Sequence, residues 1–200
     1  MCRRSVQHTT LILLSSIENM VRAMTRWIAL LRGINVGGHN KIPMAELRTL
    51  CHDIGWQDVA TYIQSGNILF GAEGTMSTLE KRLAEAIVGH FGHRIHIIVR
   101  PAAAWPLYVR INPFPDASKA EPNRVMLALS RNKLAPEPAD QLNKYAALGE
   151  SVAQRTDSLW IHYASGVARS KITPALLDRL AGSPVTTRNW RTVLKINDLL

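Results

Sequence analysis

Apolar residues occupy every position from Trp27 to Leu31, so both faces of this short run need cover, as in a strand packed on two sides. Arg32–Pro43 follows as a polar stretch carrying Gly33, Gly37 and Gly38. The period then changes. Met44, Leu47, Leu50, Cys51 and Ile54 recur at helical spacing, Pro43 suits the first turn of a helix, and Gly55 ends it. Val59–Gln64 and Ile68–Phe70 read as strands joined through the hairpin turn Ser65-Gly66-Asn67. Ser77 and Glu80 stand at capping-box spacing before a helix over Thr78–Phe91 that Gly92 stops, and Ile95–Val99 reads as a fourth strand.

Strand, helix, strand, strand, helix, strand is the ferredoxin-like, split βαβ order. In it the first two strands run parallel with the third between them. The Gly33–Lys41 loop and the Ser65–Asn67 turn then emerge at the same end of one sheet. Pro101 opens a connection with a short helix around Ala102–Ile111, after which Pro113 and Pro115 break regular structure. Beyond it the pattern predicts a strand over Arg124–Ser130, a helix over Ala139–Leu148, and hairpin strands Ser151–Arg155 and Leu159–Tyr163 turning at Thr156-Asp157-Ser158. A helix over Pro174–Ala181 stops at Gly182, and a last helix runs from Arg188 to Leu199. The expected architecture is therefore α+β, with two ferredoxin-like (split βαβ) halves packed together, each covering the other's second sheet face. The expected boundaries are 24–100 for half one, 101–122 for the connection, and 123–200 for half two with its C-terminal basic helix.

Residues 1–23 differ from the rest. Arg3 and Arg4 precede Leu11–Leu14, but Ser15-Ser16 interrupts the apolar run, which is too short to span a membrane. We read this stretch as a weakly ordered extension, with Met24 as the more natural beginning. The formal net charge of +9 and pI near 10.1 favour anionic partners, nucleic acid or nucleotides among them. Cys2 and Cys51 make no disulfide framework, so a reducing cytoplasm is the expected location, with Cys51 as a small apolar residue on its helix's buried face.

Four motifs stand in order along the chain: Leu31-Arg32-Gly33-Ile34-Asn35-Val36-Gly37-Gly38 with Asn40-Lys41 and Pro43-Met44; Tyr62-Ile63-Gln64-Ser65-Gly66-Asn67; Asn112-Pro113-Phe114; and Thr187-Arg188-Asn189-Trp190 with Thr192 and Lys195. Together they resemble the DUF1697 family of bacterial proteins over about residues 24–200. Arg191 stands where that resemblance leads one to expect asparagine. The resemblance implies an α+β fold with ferredoxin-like halves and implies no activity, catalytic residue or cofactor.

The glycine loop is neither a P-loop nor a dinucleotide fingerprint, since the spacings of both are missing. Its backbone amides, with Arg32, Gly33, Asn35, Gly37, Gly38, Asn40 and Lys41, compose a candidate phosphate or mononucleotide site. Gln64, Ser65 and Asn67 of the neighbouring turn could add polar groups. Arg188, Arg191 and Lys195 share one face of the expected last helix, and Asn189 between them is a further candidate ligand-binding residue. From Arg155 to Lys195, seven basic residues stand against Asp157 and Asp178, the richest positive region of the chain. The alternative for each feature is structural: tight turns between packed halves, and a solvated helix face. His90, His93 and His96 straddle a helix end and should diverge, so no metal site is expected. Strand three offers only Phe70 as an aromatic, which argues against a base-stacking sheet. Three readings result: a binder of nucleic acid, nucleotide or phosphate; an enzyme acting on a small phosphate- or carboxylate-bearing metabolite at the same site; and a non-catalytic interaction module.

Overall fold

A computed structural model describes residues 24–200. The extension expected over residues 1–23 lies outside them. The first half comprises β1 (Arg26–Leu31), α1 (Met44–Asp53), β2 (Gln57–Tyr62), β3 (Asn67–Gly71), α2 (Met76–Phe91) and β4 (Ile97–Pro101). Its antiparallel sheet has the order β2-β3-β1-β4. A 3-10 turn at Ala102–Ala104, then α3 (Trp105–Arg110) and α4 (Pro115–Ala120), lead to the second half. That half comprises β5 (Val125–Ser130), α5 (Pro138–Asn143), β6 (Ser151–Arg155), β7 (Ser158–His162), α6 (Pro174–Ala181) and β8 (Val185–Asn189), and α7 (Trp190–Asp198) closes the chain. Its sheet repeats the order, β6-β7-β5-β8. The α+β fold with two similar ferredoxin-like halves is thus present.

Alternation along β1 explains the layering. Trp27, Ala29 and Leu31 face α1 and α2, meeting Leu47, Cys51, Leu79 and Leu83. Ile28 and Leu30, with Leu69 and Ile98, face the other way and pack with Val125, Leu127, Leu129 and Trp160 of the second half. A third cluster joins the far face of the second sheet to α5 and α6 through Leu142, Leu159, Leu177 and Ala181. Helices therefore flank a central pair of sheets, and burying apolar area between the sheets is what holds the halves together. α3 and α7 plug one side of this seam, where Trp105 Nε1 donates to Val193 O at 3.0 Å. Phe70 is buried and stacks on Trp56 at 3.7 Å, so β3 offers no aromatic to solvent.

Several local expectations are corrected. The capping box of α2 is Thr75 with Thr78, not Ser77 with Glu80. Glu80 instead turns inward, accepting from Val99 N at 3.0 Å and from Arg131 Nε at 3.0 Å. Pro115 starts α4 rather than breaking structure, because a helix's first turn needs no donor there. α5 stops at Asn143, whose side chain exchanges hydrogen bonds of 2.8 Å with both backbone groups of Val152 on the edge strand β6. The largest correction concerns Arg188, which lies in a strand and not in the last helix. Val185-Thr186-Thr187 is β-branched and pairs with β5, and the helix begins one residue after Asn189, whose side chain accepts from Thr192 N at 2.9 Å.

With β8 in place the two halves correspond residue by residue at their seam. Arg100 on β4 stands opposite Ile28, and Arg188 on β8 stands opposite Leu127, the equivalent places in the two sheets. Each arginine crosses into the other half. Arg100 donates to the carbonyl of Ser130, which ends β5, and lies 3.6 Å from Asp157 in the β6–β7 turn. Arg188 donates to the carbonyl of Leu31, which ends β1, and to the β2–β3 turn. The residues that follow repeat the pattern: Arg32 pairs with Asp178 on α6, and Arg131 pairs with Glu80 at the matching place on α2. Two reciprocal pairs of arginines thus fasten the halves.

The reciprocity makes a prediction for the copy remote from any loop of interest. Arg100→Met strands the Ser130 carbonyl and should lower unfolding free energy by about 2 kcal/mol. Lys119→Ala on exposed α4 should change it by less than about 0.5 kcal/mol. Urea unfolding of both variants measures the difference.

Candidate functional site

The loop after β1 is folded by its own polar groups. Asn35 Nδ2 donates to Ile42 O at 3.0 Å and to Gln64 O at 2.9 Å, while its Oδ1 accepts from Ile42 N at 2.9 Å. Asn40 Nδ2 closes back on Gly33 O at 3.0 Å, and His39 N donates to Val36 O at 3.0 Å. Asn35 and Asn40 have φ of 54° and 46°, a left-handed conformation that asparagine tolerates better than other side chains. The Asn35–Gln64 contact brings the loop against the β2–β3 turn, the adjacency that strand order predicts. The side-chain amides of Asn35 and Asn40 and the backbone N–H groups of Asn35 and His39 are therefore engaged internally.

The turn is built around Arg188. Gly66 has φ of 73°, and a Cβ there would lie 2.7 Å from both Leu31 Cβ and Ile34 Cδ1, so only glycine fits. Its carbonyl accepts from Leu31 N at 2.8 Å. Asn67 is fully buried; its Nδ2 donates to Tyr62 O at 2.9 Å and its Oδ1 accepts from Arg188 Nε. Arg188 Nη1 donates to Thr186 Oγ1 and Thr187 O, each at 2.9 Å. Arg188 Nη2 donates to Leu31 O at 2.8 Å and to Ser65 O and Gly66 O at 3.1 Å. All its donors are engaged, and every acceptor is neutral. Burial lowers the Arg188 pKa to about 10, which leaves it charged at neutral pH.

Beside this buried cation lies a cleft of about 360 Å³ on the seam between the halves. The first half contributes Leu31–Ile34, Val36 and Ser65; the second contributes Met126, Tyr163, Val167, Ile172, Leu177 and the strand β8. Most of its wall is apolar. Arg32 stands among the lining residues, with Nη1 held by both Asp178 oxygens at 2.8 and 2.7 Å. Among the described residues no acceptor takes Arg32 Nε or Nη2, nor the N–H groups of Gly33 and Ile34. Tyr163 donates weakly to Ile172 O at 3.4 Å, and burial pushes its pKa up to about 12. No histidine, cysteine, aspartate, glutamate or lysine is among the described lining residues. Such a cleft can hold and orient a ligand, and it offers no group to exchange protons near neutral pH.

The sequence-nominated residues divide three ways. Arg32, Gly33, Ser65 and Arg188 line the cleft. Asn35, Asn40, Gln64 and Asn67 shape its rim through internal bonds. Gly37, Gly38 and Lys41 are exposed on the loop, Asn189 caps α7, and Arg191 and Lys195 are exposed on that helix, so the expected face shared with Arg188 does not form. Sequence reasoning missed Val167, Ile172, Leu177 and Thr187, which carry no chemical signature; a fourth strand in the second half, demanded by the repeat, was the one available signal. Elsewhere His90 lies 3.7 Å from Glu46, and no three candidate metal ligands converge among the described residues.

A family model described as a protein of unknown function, DUF1697, matches residues 24–160. The fold is also similar to the solved structure of a conserved bacterial protein from Streptococcus pneumoniae, with a TM-score of 0.70 and 24% identity over 89% of this chain and 99% of that one. No curated protein matches the chain.

The hydrogen-bond inventory separates structural cations from free ones. Arg188→Met takes its N–H groups away from four acceptors of the first half, of which Gly66 O keeps Leu31 N, and should cost about 3–5 kcal/mol of stability. Lys41→Ala and Lys195→Ala should each fall within about 0.5 kcal/mol of the parent in urea unfolding.

Proposed function

The chain belongs to the DUF1697 family, and we propose that it binds a small organic anion in the cleft between its two halves. One observation carries this reading: two arginines border a mostly apolar cleft, and only one of them has a carboxylate partner. An uncompensated charge in low-dielectric surroundings attracts an anion far more strongly than a surface lysine does. The volume suits a ligand of modest size. The free N–H groups of Gly33 and Ile34 and the free edge of Arg32 add donors where such an anion would sit. The absence of acid–base groups from the described lining favours binding over catalysis. Cys51 is free and buried, its thiol pushed up to about 12 by desolvation, and a cytoplasmic location is part of this proposal. No helix among the described residues is long and apolar enough to cross a membrane.

A nucleic-acid reading draws on the net charge of +9 and on the cations of the glycine loop and the last helix. Lys41, Arg191 and Lys195 would serve it, and none of them borders the cleft. The two readings part cleanly in experiment. Thermal melting against a panel of small organic anions should find members that raise Tm, by mass action on the folded state. Thr187→Phe, which narrows the cleft from a half-buried position, should abolish that rise, and the combined Lys41→Ala, Arg191→Ala, Lys195→Ala variant should keep it. Salt-sensitive retention on DNA that the triple variant loses, with no small anion raising Tm, would replace this proposal by the nucleic-acid one.

A further inference from the structure

We infer that the occupant of this cleft is a monocarboxylate with an apolar body, its carboxylate seated on the free edge of Arg32; this rests on the cleft being the binding site. Charge sets the valence. Arg32 and Arg188 are the charged residues of the described lining, and Asp178 neutralises one of them, which leaves a single positive charge for the ligand to meet. Donor geometry sets the group. Asp178 grips Arg32 end-on through Nη1 alone, so the Nε–Nη2 edge remains as a planar pair of donors matched to two carboxylate oxygens. A phosphate dianion would seek further cationic donors, yet Arg188 has every N–H engaged and no lysine is in the described lining.

The duplicated arginine shows what this edge otherwise does. Arg131 directs Nε at its own carboxylate, Glu80, at 3.0 Å. Arg32 adopts a different arrangement: both Asp178 oxygens meet Nη1, and Asp178 also accepts from Val185 N at 2.9 Å, as Glu80 does from Val99 N at 3.0 Å. Asp178 is accordingly a positioning residue, fixing the plane of the guanidinium. The apolar body follows from the rim. Val36 and Val167, from facing halves, are 66% and 49% exposed although both border the cleft, and Ile172 and Leu177 continue the apolar surface inward. A hydrocarbon body leaving the carboxylate would cover both valines.

Calorimetric titration of the full chain with octanoate, acetate, octan-1-ol and octyl phosphate tests the assignment. Octanoate should bind at least ten-fold more tightly than acetate or octanol, since each lacks one of the two recognised parts. Octyl phosphate should bind no more tightly than octanoate. Arg32→Lys keeps the charge, loses the paired edge, and should weaken octanoate about ten-fold. Should that variant misfold, Val167→Asp at the exposed rim should weaken octanoate while sparing acetate. Tighter binding of octyl phosphate or inorganic phosphate, still abolished by Thr187→Phe, would overturn the carboxylate and leave the cleft standing. Binding of none of the anions, octanoate included, or binding unaffected by Thr187→Phe, would overturn both.

Discussion

A guanidinium removed from water without a carboxylate beside it is the constraint on which this structure turns. Desolvating a cation of this kind is costly, and at Arg188 the cost is met by four carbonyls, an asparagine oxygen and the Thr186 hydroxyl, all but two of them from the opposite half. Meeting it dictates much of the neighbouring sequence. Gly66 must be glycine so that the turn can close on Leu31 and aim its carbonyl inward. Asn67 must offer an acceptor to Arg188 and a donor to Tyr62 at once, which an amide does and a carboxylate does not. The ends of β1, β3 and β8 are thereby fixed relative to one another, and the cleft inherits its shape from them.

The same device occurs twice, and the difference between its copies lies at the cleft. At each seam the residue after the first strand of a half donates its N–H to the residue before that half's last strand: Arg32 to His96 and Arg131 to Pro184. After Arg131 the chain closes at once, with Asn132 N on Ser183 Oγ and Ser183 against Ser130. After Arg32 it opens into the left-handed run through Asn35 and Asn40 and does not reach α1 until Met44. Duplication therefore accounts for the arginines, as fasteners, and leaves the cleft as the property of one copy. A structural role common to both copies and the proposed binding role confined to one are compatible for Arg32, whereas Arg188, with every N–H engaged, would serve binding only through its charge.

The distinction also explains what was legible in the residues. Strand order put the Gly33–Lys41 loop beside the Ser65–Asn67 turn, and Asn35 bonding to Gln64 is that inference in atomic form. Period-2 and period-3.6 patterns located β1, α1 and α6 because each has one apolar face and one polar one, or is covered on both sides. β8 was hidden for the opposite reason. Val185-Thr186-Thr187-Arg188 is polar for a buried strand, since its last member is solvated by the other half's carbonyls and not by water. The spacing of Arg188, Arg191 and Lys195 fits a helical face only if the helix starts two residues before Trp190, and nothing local forbids that. Glu80 misled similarly: at capping-box spacing in sequence, it serves Val99 and Arg131, partners far away along the chain. The cleft's apolar wall was invisible because Ile172 and Leu177 are residues any core would use.

Because the cleft straddles the seam, occupancy and association of the halves draw on the same groups. Arg32 reaches from the first half to Asp178 of the second, and Arg188 reaches back. The proposed anion, resting between them, would relieve the unbalanced charge that the seam carries and would contact apolar residues of both halves. Its binding free energy would then be partly a seam free energy, so that ligand and inter-half packing would stabilise one another by linkage. A fold made of two similar halves has no inherent need for an unpaired buried charge at only one of its two arginine clamps. Asp157 stands near Arg100, but no acidic residue stands near Arg188 among its partners. The anion that would supply the missing half of that pair is most simply one that comes from outside the chain.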